Sequence, residues 1–88
     1  MIERPATIVN SLGMHARPAA QVVRLAATFA SSIELEHEGQ VVNGKSIMGV
    51  MTLAAECGAV VQIRAEGADA DAAVAALIQL IAKGFGET

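Results

Sequence analysis

The chain holds one cysteine, two prolines and two phenylalanines among its 88 residues, and it has neither tryptophan nor tyrosine. A single thiol, Cys57, excludes a disulfide framework and a thiolate zinc site within one chain. The shortage of aromatics excludes stacking platforms for bases and a large aromatic-lined pocket. Basic residues are also scarce, with 6 Lys and Arg against 9 Asp and Glu, for a net charge of −3. A nucleic-acid binder of this size carries a basic surplus instead. No apolar run approaches the roughly 18 residues of a membrane span, and no signal-peptide pattern is present. Two Pro and eight Gly are too few for a disordered linker. What the chain has in quantity is alanine, at 18 positions within a hydrophobic fraction of 53%. Small side chains at that frequency suit closely packed helices. These features describe one small, reduced, cytoplasmic domain spanning residues 1–88, with no cofactor, no nucleic acid and no membrane insertion.

The apolar spacing alternates between two periods. Pro5 to Val9 is short and β-prone, a first strand, and Asn10-Ser11-Leu12-Gly13 reads as a loop. From Ala16 the spacing becomes helical: Ala19, Val22, Val23, Ala26 and Phe29 share one side, with Gln21, Arg24 and Thr28 opposite. Pro18 fits there because the first helical turn has no intrahelical N–H bond to lose. Ser32 to His37 alternates, with Ile33 and Leu35 on one face and Glu34 and Glu36 on the other. Glu38-Gly39 reads as a hairpin turn into a strand over Gln40–Asn43. Asn43-Gly44 turns again, and Ser46 caps a short helix whose apolar side is Ile47, Val50, Met51 and Ala54. Val61, Ile63 and Ala65 alternate with polar residues, giving a fourth strand. Asp69 and Asp71 open a last helix with a stripe of Val74, Leu77, Ile78 and Ile81, closed by Lys83 and Gly84. The order is β-α-β-β-α-β-α. It predicts an α+β fold, an open-faced two-layer β-sandwich with a four-stranded antiparallel sheet and three helices on one face. The first helical crossover leaves two strands parallel, which invites the fourth strand to insert between them.

The segment richest in chemistry is Gly13-Met14-His15-Ala16-Arg17-Pro18, where the loop becomes a helix. A helix start presents open N–H groups and partial positive charge, so it favours anions. A histidine there has its imidazolium form disfavoured and is poised to attack as a neutral nucleophile. An attacking imidazole could take a phosphoryl group, with the following amides and Arg17 balancing its charge. The planar Arg17 fork stays ionised and donates to phosphate oxygens. Gly13 allows close backbone approach, and Ala16 and Pro18 hold the first turn. A lone histidine near a helix start is more often a surface or capping residue. The combination with Arg17 and Pro18 is what raises the phosphoryl reading above that.

The run Gly13-Met14-His15-Ala16-Arg17-Pro18-Ala19 resembles the active-site signature of the histidine-containing phosphocarrier family, HPr, of the bacterial phosphotransferase system. The likeness covers essentially the whole chain and includes a second motif, Ser46-Ile47-Met48-Gly49-Val50-Met51. The resemblance implies that His15 accepts phosphate from enzyme I, charged by phosphoenolpyruvate, and hands it to a IIA protein or domain. It makes Arg17 the phosphate-stabilising partner, and the chain a carrier rather than an enzyme. It also implies that Ser46 is a regulatory site for an ATP-dependent HPr kinase/phosphorylase. On its own chemistry Ser46 is a helix cap, a role compatible with phosphate at a helix start. Gln21 and Arg24, on the Arg17 face, would form a polar rim for acidic partners. Ile47, Met48 and Met51 are docking candidates with core packing as the alternative, Met48 being the one expected to stand exposed. His37 is expected at an exposed strand end and Cys57 partly buried.

Leu12 departs from the small polar residue found there in many sugar-system members. Leu12 to Pro18 is similar to the nitrogen-related paralogue, NPr, whereas Asn43 to Met51 is similar to the sugar-system form. The branch stays open on sequence. A non-catalytic α+β interaction module, with His15 incidental, is the rival from another class. Gly39 to Ser46 also satisfies the pattern G-x-x-x-x-G-K-S of a nucleotide-binding loop. Stiff Val41 and Val42 and the acidic Glu34, Glu36 and Glu38 argue against it, and so does a chain too short for the usual parallel sheet. A monomer with brief contacts is expected, since a carrier must release quickly.

Overall fold

Alternating side chains set the sheet. The computed structural model describes residues 1–86. Its elements are β1 (Ile2–Thr7), α1 (Ala16–Ala26), β2 (Ser32–His37), β3 (Gln40–Asn43), α2 (Ile47–Thr52), β4 (Val60–Glu66) and α3 (Ala70–Ala82), closed by a 3-10 turn at Gly84–Gly86. The strands form one antiparallel sheet in the order β1-β4-β2-β3, so β4 inserts between β1 and β2. Leu35 pairs with Ile63 and Ile33 with Ala65 across β2 and β4, and Ala6 pairs with Val61 across β1 and β4. These residues are all buried, which fixes the register, because a one-residue slip would turn them to solvent. The outer face is charged. Arg64 Nε donates to Glu3 at 2.9 Å and Arg64 also pairs with Glu36, bridging three strands. The two carboxylates raise the Arg64 pKa further, through their hydrogen bonds first.

The other face carries the helices. Val74, Leu77 and Ile81 of α3 are buried, and α3 packs on β1 and β4. Ala19, Val22 and Ala26 of α1 are fully buried, and α1 lies against both α2 and α3. Each fully buried Leu, Ile or Val contributes about 2 kcal/mol of transfer free energy. Asp69 opens α3 without capping it. Its carboxylate crosses instead to the segment between α1 and β2, accepting from Ala30 N and Ser31 N at 2.9 Å each and from the Ser31 hydroxyl. Those donors, the Ser31 hydroxyl first, hold the Asp69 carboxyl below its ordinary range.

Several expectations are corrected. The first strand starts at Ile2, not Pro5, because pairing with β4 begins at Ile2 and Ala65. Pro5 sits inside β1, tolerated on an edge strand where one side has no neighbour to pair with. The buried side of α2 is Val50, with Leu53 just beyond it, whereas Ile47 and Met51 are each 42% exposed. Ala54 lies past the helix, exposed and at φ 50°. Cys57 is exposed, its thiol reaching only the Val9 carbonyl at 3.8 Å. His37 does end a strand but is half-buried, with Nδ1 3.2 Å from the Leu53 carbonyl oxygen. The nucleotide-loop pattern dissolves into a hairpin. Glu38 and Gly39 both have positive φ, the signature of a tight two-residue turn, and Gln40–Asn43 is strand.

Candidate functional site

The site loop is built from backbone hydrogen bonds. Asn10, 3% exposed, donates from Nδ2 to the Gly13 carbonyl at 2.8 Å, and its own carbonyl accepts the Gly13 N–H at 3.1 Å. Met14 N donates to the Ala55 carbonyl at 2.8 Å, and His15 N donates back to the Gly13 carbonyl at 3.0 Å. Gly13 has φ 71°, and a Cβ there would lie 2.5 Å from the Ala55 oxygen, so only glycine passes this point. The segment after α2 is thus the wall against which the loop is pressed. The sequence reading took Asn10 for ordinary loop and missed it. Its only signal was an Asn beside a Gly-containing turn, because burial comes from chain remote in sequence.

His15 is the N-cap residue of α1, in extended conformation, and its carbonyl accepts the Ala19 N–H at 3.0 Å. Its side chain makes no capping bond and is half-buried. Helix geometry leaves the Ala16 and Arg17 N–H groups without intrahelical acceptors, and Pro18 has no N–H to offer. No acidic residue occupies this first turn. Arg17 is exposed two residues beyond the imidazole, on the same turn. Arg24 is exposed further along α1, whereas Gln21 is half-buried and donates to the Phe85 carbonyl at 3.1 Å. A groove of about 540 Å³ between α1 and α3 is lined by Gln21, Arg24, Leu25, Leu80 and Lys83, away from His15. His15 does not line this groove and stands half-buried at the start of α1.

The residues of α2 are brought beside α1. Ser46 caps α2, its Oγ accepting the Gly49 N–H at 3.1 Å. Met48 is 72% exposed, and Leu12 on the site loop is 73% exposed. Ile47 and Met51 of α2 are exposed apolar groups as well.

A family model described as the PTS HPr component phosphorylation site matches residues 2–83. The chain belongs to the HPr family. The phosphocarrier protein HPr of Cupriavidus necator is 46% identical over 87 residues, covering 99% of this chain and 98% of that protein. The HPr of Xylella fastidiosa (strain Temecula1) is 44% identical over the same shares. Among solved structures, HPr-C-His from Thermoanaerobacter tengcongensis superposes with a TM-score of 0.95 at 46% identity, over 100% of this chain and 99% of that one. The four-stranded antiparallel sheet with three helices is the HPr fold, and the chain is a phosphocarrier of the phosphotransferase system. Among the described residues no helix is long and apolar enough to cross a membrane.

Proposed function

We propose that His15 is the phosphoryl acceptor of this carrier, taking the group from enzyme I charged by phosphoenolpyruvate and passing it to a IIA protein or domain. The observation that carries the reading is a helix start whose own N-cap side chain leaves the cap unfilled, with Arg17 beside it. An unprotonated imidazole nitrogen attacks phosphorus, the bond to the donor breaks, and the charge arrives where the Ala16 and Arg17 amides and the Arg17 guanidinium can meet it. The new phosphorus–nitrogen bond remains labile, so the group can move on. A partly exposed position at a helix start lets two partners in turn approach the same atom, which a deep pocket would prevent. The chain is then a stoichiometric substrate of its partners in the cytoplasm, acting as a single domain and a monomer with no cofactor.

Gly13, Ala16 and Pro18 hold the helix start, and Arg24, Gln21, Ile47, Met48 and Met51 form the docking surface. Ser46 is the regulatory site, for an HPr kinase/phosphorylase where the host has one. Phosphate there would leave the α2 start electrostatically content and would act by adding charge to the face the partners use. Exposed Leu12 favours a second reading, service in the nitrogen-related branch, since an apolar residue on the rim suits a different IIA surface. Incubation with phosphoenolpyruvate, magnesium and enzyme I, followed by intact mass before and after mild acid, tests the proposal. One acid-labile phosphate that vanishes in His15→Ala supports it. No phosphate, with enzyme I active on a known carrier, sinks it in favour of an interaction module.

A further inference from the structure

The Gly13 carbonyl has two donors, one from a side chain and one from the backbone. One is the Asn10 side-chain amide at 2.8 Å and the other is the His15 backbone N–H at 3.0 Å. A carbonyl oxygen has two lone pairs, so this pairing uses it fully. The same peptide is held on its other side by Met14 N, which donates to the Ala55 carbonyl at 2.8 Å, and close packing against Ala55 and Glu56 leaves no room for a side chain at Gly13. Asn10 is itself walled in: it is 3% exposed, and Gly84 of the closing turn lies beside its Cβ. Leu12, the outward residue of the loop, offers no polar group that could substitute.

We infer that Asn10 is a positioning residue for His15, acting through the Gly13 carbonyl. The buried amide fixes the plane of the Gly13 peptide. That peptide sets the backbone of His15 before the helix begins, and the backbone sets where the imidazole stands. A nucleophile must meet phosphorus within a fraction of an ångström, so looseness here falls on the rate of transfer rather than on partner docking. The kinetic part of this inference rests on the carrier reading, and the backbone part does not.

Asn10→Asp separates donation from packing, because it keeps the volume but, when ionised, only accepts. A carboxylate facing the Gly13 carbonyl replaces attraction with repulsion. The expected result is a kcat for phosphoryl transfer lowered about tenfold or more, with KM for enzyme I within about twofold of the parent. Amide hydrogen exchange at His15 should quicken, while exchange at Ala19 stays slow. As pH falls and the carboxyl protonates, it regains a donor, and the variant-to-parent rate ratio should climb back. Asn10→Ala, tested by the same exchange measurement, serves if the first variant does not fold. An Asn10→Asp protein with parental kcat and parental His15 exchange overturns the inference, as does a loss confined to KM. If the parent itself takes no phosphate, the carrier reading fails, and the His15 exchange rate alone decides the inference.

Discussion

The starts of α1 and α2 are built in opposite ways. At α2 the N-cap side chain turns inward, and Ser46 Oγ accepts the Gly49 N–H. At α1 the N-cap residue is a histidine whose side chain makes no such bond. One start is closed by its own N-cap side chain, and at the other the N-cap side chain supplies no acceptor to the first-turn N–H groups. A third start gives the contrast another edge. Asp69 at α3 bonds to the segment joining α1 to β2, so its charge serves as a clasp between elements. A capped start thus stabilises the fold, and the start whose N-cap side chain makes no capping bond is the one we propose for the chemistry.

The largest expected effect comes from removing the proposed phosphoryl acceptor. His15→Ala should abolish phosphoryl transfer while shifting stability by less than about 1 kcal/mol, since no capping bond is lost. Thermal unfolding beside a transfer assay measures both. Arg17→Ala should leave the fold intact and slow transfer by about ten- to a hundredfold, as charge reaching the helix start loses its counter-ion. At the closed start the pattern should invert. Ser46→Ala should cost about 1 kcal/mol of stability and leave kcat unchanged. Ser46→Asp preserves a capping oxygen but adds negative charge to the partner face, so its effect should appear as a raised KM.

The smallest effect concerns Asp69 and depends on pH. Its folded pKa lies below the ordinary value, because the Ser31 hydroxyl and the Ala30 amide favour the carboxylate. Its stabilisation is therefore present above the unfolded pKa and fades as pH falls through the folded one. The difference in thermal midpoint between the parent and Asp69→Ala should be widest near neutral pH and shrink in acid.

Much of this architecture was legible in residue spacing. Ile33 and Leu35 against Glu34 and Glu36 defined β2 to the residue, and the crossover rule placed β4 between β1 and β2. The run from Gly13 to Pro18 pointed to a helix start, and α1 begins at Ala16. What escaped depends on distant chain. The edge of β1 is set by its register with β4, and Asn10 is buried by the closing turn and the loop against Ala55. Asp69 looked like an ordinary helix opener, because its true partners lie 38 and 39 positions away. The side chain of Gln21, read from periodicity as rim, reaches a carbonyl 64 positions away. For α2, six residues are too few for periodicity to choose a face, so Ile47 and Met51 looked as apolar as Val50.

The contrast between the two starts can be measured directly, by following backbone amide resonances of the full chain before and after charging with phosphoenolpyruvate and enzyme I. The account predicts large shifts at Ala16 and Arg17, where open N–H groups receive the phosphoryl oxygens, and a much smaller one at Gly49, already bonded to Ser46. A charged protein in which Ala16 and Arg17 stay still, or in which Gly49 moves as far as they do, would contradict it.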